Sequence, residues 1–327
     1  MSTLRRQSAF AWQCEGCMSD PDDERDYTHE KERRAELRRV AVGAAEILVA
    51  RYAGYCYGVE RALQIAEDAA EGIDTPICSL GPIIHNPAVV RSLASRGVSA
   101  IDDLDEARSG TVIVRTHGVP PAVIEAARER GLDVVDATCP FVTIAQRKAS
   151  ALREQHYVVL ILGERDHPEV AGLKACAGEQ ALVLEDSSEL DDEAIVNQRV
   201  GVVVQTTQTR ENLARLVTRV APLSRELLVY NTICDATEKR QSAAREVAAQ
   251  VEVVVVVGGR NSANTSRLVA LCREIQPHTY HVEHAGEIEA GWFAGRTRIG
   301  VTAGASTPDE EIDATVQAIQ DLMAGGA

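Results

Sequence analysis

Residues 133–149, DVVDATCPFVTIAQRKA, pass in one sweep from an apolar, strand-like run through Cys139 into a helix-like stretch opened by Pro140. A short β-branched run suits a strand, and Pro is tolerated at a first helical position because that N–H has no partner there. The same order occurs twice more. ILVARYAGYC leads into YGVERAL around Cys56 (47–63), and LLVYNTIC leads into DATEKRQSAA around Cys234 (227–244). The three cysteines lie 83 and 95 residues apart. Self-similarity at a nearly fixed step marks a repeated unit, so this spacing decides the fold.

Two further elements keep the step. LGPIIH, LGERDH and VGGRNS carry Gly81 with His85, Gly163 with His167, and Gly258 with Ser262, each polar residue four after its glycine, and the glycines are 82 and 95 apart. Strand ends with polar residues form the third element: VIVRTHG with His117, VVVQTTQ with Thr206 and Thr207, and GVTAGAST with Ser306. Three copies of a unit of about 90 residues account for all nine features.

Around these positions, EILVA, TVIVR, YVVLIL, VGVVV, ELLVY, VEVVVVV and RIGVTA alternate with ERALQIAEDAAEG, AVIEAARERG and RLVALCREI. Continuous apolar runs belong to parallel strands covered on both faces, and the first two helical stretches end on a glycine suited to a C-cap. The class is α/β with three pseudo-repeated units. The expected division is a charged, mobile extension over 1–45 and units over 46–138, 139–231 and 232–327, with the strand in 46–57 free to pack with the third unit. The mobile reading rests on SDPDDERDYTHEKERRAELRR (19–39), which is too polar to offset the entropy of ordering it.

A net charge of -15 argues against nucleic acid, which needs clustered basic side chains. No stretch approaches the roughly 18 apolar residues of a spanning helix, and no signal peptide is evident, so no membrane is expected and a cytoplasmic setting is. Eight cysteines in 327 residues are too few for a disulfide scaffold and suit thiols or metal ligands.

In open α/β sheets, function gathers beyond the carboxyl ends of the strands. Three such ends facing one another would unite Cys56, Cys139 and Cys234 with His85, His117, His167, Thr206, Thr207, Ser262, Asn264 and Ser306. Helix N-termini are expected to lower the thiol pKa values, and a three-sulfur set suits zinc or an iron–sulfur cluster. Three cysteines on a cubane would leave one iron open for a substrate oxygen. The remaining donors are hydroxyl, amide and imidazole, poor in Lys and Arg, and suited to phosphate. Glu169, in DHPEV, is the natural proton source in such a set.

GYCYGVERA, LGPIIHNP, THGV, DATCPFVT, HPEVAG, QTTQT, TICDATEKRQ, NSANTSRL and GVTAGAS, spread over more than 80% of the chain, resemble the LytB/IspH family of 4-hydroxy-3-methylbut-2-enyl diphosphate reductases of the non-mevalonate isoprenoid pathway. The resemblance implies a trefoil of three α/β domains around one [4Fe-4S] cluster with an open iron, held by Cys56, Cys139 and Cys234. It implies catalysis by Glu169, Thr206 and His167, and substrate binding by His85, His117, His167, Thr206, Ser262, Asn264 and Ser306. It also implies a two-electron reductive removal of a hydroxyl from an allylic diphosphate, yielding isopentenyl and dimethylallyl diphosphates. A ferredoxin or flavodoxin would be the electron donor, since nothing reads as a flavin or nicotinamide site.

Ala263 departs from relatives that carry a second Ser there, and with the N-terminal extension it leaves an ancillary, cluster-sensing paralogue as the alternative. A zinc hydrolase using the same sulfurs is a further one. Cys78, Cys176 and Cys272 read as apolar filler, and the Cys14/Cys17 pair as incidental thiols. His278, His281 and His284 read as solvated.

Overall fold

The computed structural model describes residues 36–72 and 75–325; Cys14 and Cys17 lie outside them. The chain enters through β1 (Arg38–Val42) and β2 (Ala45–Val49), an antiparallel pair. Three passes then follow one order of elements. The first is α1 (Tyr57–Gly72), β3 (Ile77–Leu80), α2 (Pro87–Ser95), β4 (Val98–Ile101), β5 (Thr111–Val114), α3 (Pro121–Glu129) and β6 (Asp133–Asp136). The second is α4 (Pro140–Glu154), β7 (Val158–Leu162), α5 (Pro168–Ala177), β8 (Leu182–Leu184), β9 (Arg199–Val204), α6 (Arg210–Val220) and β10 (Glu226–Tyr230). The third is α7 (Asp235–Ala248), β11 (Val253–Val257), α8 (Ala263–Ile275), β12 (Thr279–Val282), β13 (Arg298–Ala303) and α9 (Asp309–Gly325).

These strands make three sheets, ordered β4-β3-β5-β6, β8-β7-β9-β10 and β12-β11-β13-β2-β1, and every pairing except β1 with β2 is parallel. The fold is α/β with three parallel-sheet domains. β2 takes the place in the third sheet that β6 and β10 take in theirs, pairing through Ile47 with Ile299 of β13. The third unit thus takes its last strand from before the first unit, and each cysteine follows the last strand of one unit and precedes the first helix of the next.

Part of the charged extension is ordered. Arg38–Val42 pairs as an edge strand because Arg39 meets Glu46 at 2.9 Å and Gly43, at φ +57, makes the tight reversal to β2. The core explains the strand runs: all five valines of β11 are fully buried, and each buried Val contributes on the order of 1.5–3 kcal/mol. Gly201 of β9 and Gly300 of β13 occupy matching places, and a Cβ there would meet Leu152 at 2.5 Å or Val247 at 2.7 Å. Both glycines let the helix that follows a cysteine, α4 or α7, lie close on its sheet.

Candidate functional site

The threefold order is written into the backbone around the cysteines. Cys56 N–H donates to Ala305 O at 3.2 Å, Cys139 N–H to Thr116 O at 2.9 Å, and Cys234 N–H to Thr206 O at 3.1 Å. Each acceptor closes the strand-end loop that carries a repeated polar residue, so every cysteine is tied to the loop holding Ser306, His117 or Thr207. The glycines repeat the logic one strand over: Gly81, Gly163 and Gly258 follow the central strands and donate to Ile101, Leu184 and Val282. Beyond them α2, α5 and α8 start, capped by Asn86, His167 and Ser262. Three helix N-termini therefore point their free N–H groups at one region.

Cys139 and Cys234 are the N-caps of α4 and α7, and Cys56 immediately precedes α1. Gly58 leaves room for Cys139 Sγ, since a Cβ there would lie 2.6 Å from it, and Cys56 Sγ is 3.9 Å from the same point. All three cysteines keep some open surface, and Cys139 and Cys234 stand deep among protein atoms. At Cys139 and Cys234 the lowered thiol pKa values expected from the helix N-termini do not occur. Burial, reinforced by the neighbouring sulfurs, pushes Cys139 far up against the N–H groups of Phe141 and Val142, and burial pushes Cys234 up to about 11 despite its contact with Thr237 Oγ. Burial and neighbouring sulfurs raise Cys139 and Cys234, and a bound cation must displace those protons.

Among the described residues, the group of His, Cys, Asp or Glu side chains with ligand atoms all within 4.8 Å of one another is His85, His117 and His167, not the cysteines. One zinc ion with bonds of about 2.3 Å would draw its sulfurs to roughly 3.8 Å apart. The wider sulfur set suits a multi-iron cluster and disfavours the zinc alternative.

The histidines stand side by side. His85 stacks on His117 with ring centroids 4.5 Å apart, and His167 meets His117 edge-on at 5.2 Å. Burial, their mutual proximity and Arg115 hold His117 well below its ordinary pKa; burial and then Arg115 lower His85; burial first, then His85 and two arginines, bring His167 down to about 4. His167 Nδ1 accepts from Glu169 N–H at 3.1 Å, so its proton sits on Nε2.

Glu169, 1% exposed, is the second residue of α5. Thr206 N–H donates to one carboxylate oxygen at 2.7 Å and Thr206 Oγ–H to the other at 2.8 Å. Burial outweighs both bonds and carries the Glu169 pKa to about 7. A carboxyl balanced near neutrality can give or take a proton.

Buried polar atoms without partners gather here: His85 Nε2, Thr207 Oγ, Thr265 Oγ, Arg115 Nε, Arg267 Nε and both side-chain atoms of Asn264. Buried groups of this kind are normally paired, and their concentration on residues from all three units marks a place shaped for a polar ligand. Ser262 Oγ accepts from Thr265 N–H, which leaves its O–H to donate. Ser306 Oγ reaches His85 O at 3.4 Å, and Asn86 Nδ2 donates to Ser306 O at 3.1 Å, stitching the first unit to the third. Ala263 is buried at the first position of α8, where its backbone N–H is among the free ones.

The surroundings, expected to be poor in Lys and Arg, include Arg115 and Arg267, whose charges act on His167. Both occur inside matched strings, VIVRTHG and NSANTSRL, and only the folded arrangement shows where they go. Thr207, grouped with Thr206 in sequence, differs in role: Thr206 is spent on Glu169 while the Thr207 hydroxyl is unpartnered. His278 and His284 are exposed as expected, whereas His281 is half-buried and its Nε2 bonds Gly258 O at 2.8 Å. A groove of about 800 Å³ near the start of α1 is lined by Glu60, Glu67, Glu310 and Glu311 against Arg61 and Arg96, so carboxylates outnumber cations there.

The LytB protein family matches residues 47–320. A 4-hydroxy-3-methylbut-2-enyl diphosphate reductase of Pelobacter propionicus is 47% identical over 276 residues, covering 84% of this chain and 98% of the relative. The reductase of the same name from Aquifex aeolicus is 41% identical, covering 86% and 98%. A solved (E)-4-hydroxy-3-methyl-but-2-enyl diphosphate reductase, described as the terminal enzyme of the non-mevalonate pathway, superposes with a TM-score of 0.63 at 40% identity, covering 84% of this chain and 99% of that one. The E-1-hydroxy-2-methyl-but-2-enyl-4-diphosphate reductase of Plasmodium falciparum superposes with a TM-score of 0.77 at 26% identity, covering 83% and 86%.

Proposed function

The chain belongs to the LytB family, and from that premise we propose that it is the reductase that removes the hydroxyl of (E)-4-hydroxy-3-methylbut-2-enyl diphosphate, the last step of the non-mevalonate pathway. Two electrons and two protons enter; one water and one five-carbon diphosphate, isopentenyl or dimethylallyl, leave. The observation that carries the reading is the set of unpartnered buried donors from three units beside Glu169, a buried carboxyl with a pKa of about 7.

The donor set fits a [4Fe-4S] cluster held by Cys56, Cys139 and Cys234: three sulfurs at helix starts, spread wider than one zinc ion needs, over a backbone left bare at Gly58. When bound, the cluster supplies the electrons one at a time and a Lewis-acidic position for the hydroxyl. A small one-electron carrier, ferredoxin or flavodoxin, would reload it. Among the described residues no helix is long and apolar enough to cross a membrane.

This chain's own residues do the rest. His85, His117, Thr207, Ser262, Asn264, Ser306 and the N–H groups opening α8 bind and orient the diphosphate. His167 offers Nε2–H to the same anion while its Nδ1 fixes the Glu169 backbone. Protonated Glu169 delivers its proton to the hydroxyl, which departs as water, and Thr206 then steadies the carboxylate with its N–H and Oγ–H. The second proton goes to one or the other end of the allylic unit, giving the two isomers.

Anaerobic reconstitution followed by iron and sulfide analysis, EPR, and turnover of the hydroxymethylbutenyl diphosphate with a chemical reductant tests the proposal. Cluster signals with water release and both isomers are expected; a folded protein with all three cysteines that binds no cluster would sink it.

A further inference from the structure

We propose that Arg115 is a positioning and specificity-determining residue, the fixed positive charge that makes the His85, His117 and His167 cradle selective for a multiply charged anion. The inference deepens the diphosphate reading of that site and rests on it. A diphosphate carries several negative charges, and transferring it from water into a pocket of neutral donors is expensive unless a cation opposes it.

The geometry points to Arg115. It follows β5 and immediately precedes Thr116 and His117. Its guanidinium lies on the bare backbone of Gly81, where a Cβ would meet Nη1 at 2.1 Å and Cζ at 2.9 Å. Gly81, at φ +70, begins the turn that carries His85. Arg115 is therefore wedged between the two loops that hold the stacked imidazoles, and its Nε is buried without a hydrogen-bond partner. Its field reaches all three histidines.

Arg267, the other cation near His167, is neutralised by Glu164 at 2.7 Å and held by Gln208 at 2.8 Å. Among the described residues, the carboxylate opposing Arg115 through space is the exposed Asp102. A half-buried guanidinium with an orphaned N–H, its field felt by all three imidazoles, is less compensated than Arg267. An entering anion would compensate it.

The test uses the whole chain and inorganic diphosphate as the probe, with affinity read by calorimetry for wild type, R115M and R115K. R115M is expected to weaken diphosphate on the order of tenfold to a hundredfold and to flatten the salt dependence of binding, while R115K recovers most of the affinity. In turnover assays R115M should raise KM and leave kcat within about twofold, the pattern of lost ground-state binding. Equal diphosphate affinity and salt slope in wild type and R115M would overturn the role of Arg115 alone, whereas a wild type that does not bind diphosphate would overturn both this inference and the diphosphate reading. Should R115M not fold, D102N carries the test, because removing an exposed opposing carboxylate should tighten diphosphate about twofold; unchanged or weaker binding would overturn the inference.

Discussion

At Glu169 two opposed effects meet: burial favours the neutral acid, and two hydrogen bonds from Thr206 favour the carboxylate. Burial wins, and the folded pKa of about 7 lies above the ordinary carboxylate value, so the group is protonated below neutrality and loses its proton as pH rises through about 7. An acid catalyst with that balance gives a kcat/KM that falls about tenfold per pH unit on the alkaline side. E169Q should retain cluster and diphosphate binding, lose roughly 10²–10⁴ in turnover, and show no such limb; near-normal turnover would remove Glu169 from the proton path. T206V deletes a bond to the charged form, so the limb should move to higher pH by on the order of one unit; a limb that stays put would dissociate Thr206 from the acid. Gly58 makes a different kind of demand. G58A would put a methyl group 2.6 Å from Cys139 Sγ, and overpacking of roughly 1–3 kcal/mol should appear as lower iron content after reconstitution, with the circular dichroism spectrum of the metal-free protein unchanged. Full iron loading in G58A would mean the sulfur can give way.

Among the elements, the three helices that open on the site, α2, α5 and α8, share a device: a side chain of the residue before the helix satisfies one of its free N–H groups. Asn86 does this twice over, accepting from Ala88 and Val89 while its amide nitrogen holds Ser306 O. N86A should therefore cost about 1–2 kcal/mol of stability in denaturant titration and also weaken diphosphate binding, because the Ser306 loop loses its tie to the first unit. A stability loss with unchanged diphosphate affinity would show that the tie does not matter for the site. Much of this was legible in the order of residues, since a strand, a cysteine and a helix keep their sequence whatever the tertiary arrangement. AVIEAARERG even shows its cap, Gly131 adopting φ +76 just after α3. What could not be read is whatever depends on which atoms meet. The thiols of Cys139 and Cys234 go the other way because burial and neighbouring sulfurs outweigh a helix terminus, and Arg38–Val42 pairs as a strand because Ala45–Val49 offers it an edge. The Cys-to-loop bonds join residues as far apart as Cys56 and Ala305.

On the scale of the molecule, the permuted start of the chain closes the circle of three units. β2 completes the third sheet beside β13 and hands the chain to Cys56, whose N–H is held by Ala305 just beyond β13. The unpartnered donors divide among the units: His85 in the first, Thr207 in the second, Asn264 in the third. No single unit can satisfy a diphosphate, and a ligand held by all three must tie them together. Binding to the folded protein alone raises stability by about 2.7 kcal/mol at a hundred times Kd. Inorganic diphosphate should accordingly raise the unfolding temperature of the whole chain in a single transition, and small-angle scattering should show a smaller radius of gyration when it binds. Asn264 is the sharpest probe, because both of its side-chain polar atoms are buried and unpartnered, so N264L removes two donors or acceptors from the third unit without breaking a bond in the ligand-free fold. N264L is expected to match or exceed the wild type in thermal stability without ligand, yet to lose most of the diphosphate-induced rise. A full rise in N264L would mean the third unit contributes nothing to holding the anion, and the picture of one ligand clasped by three units would fail.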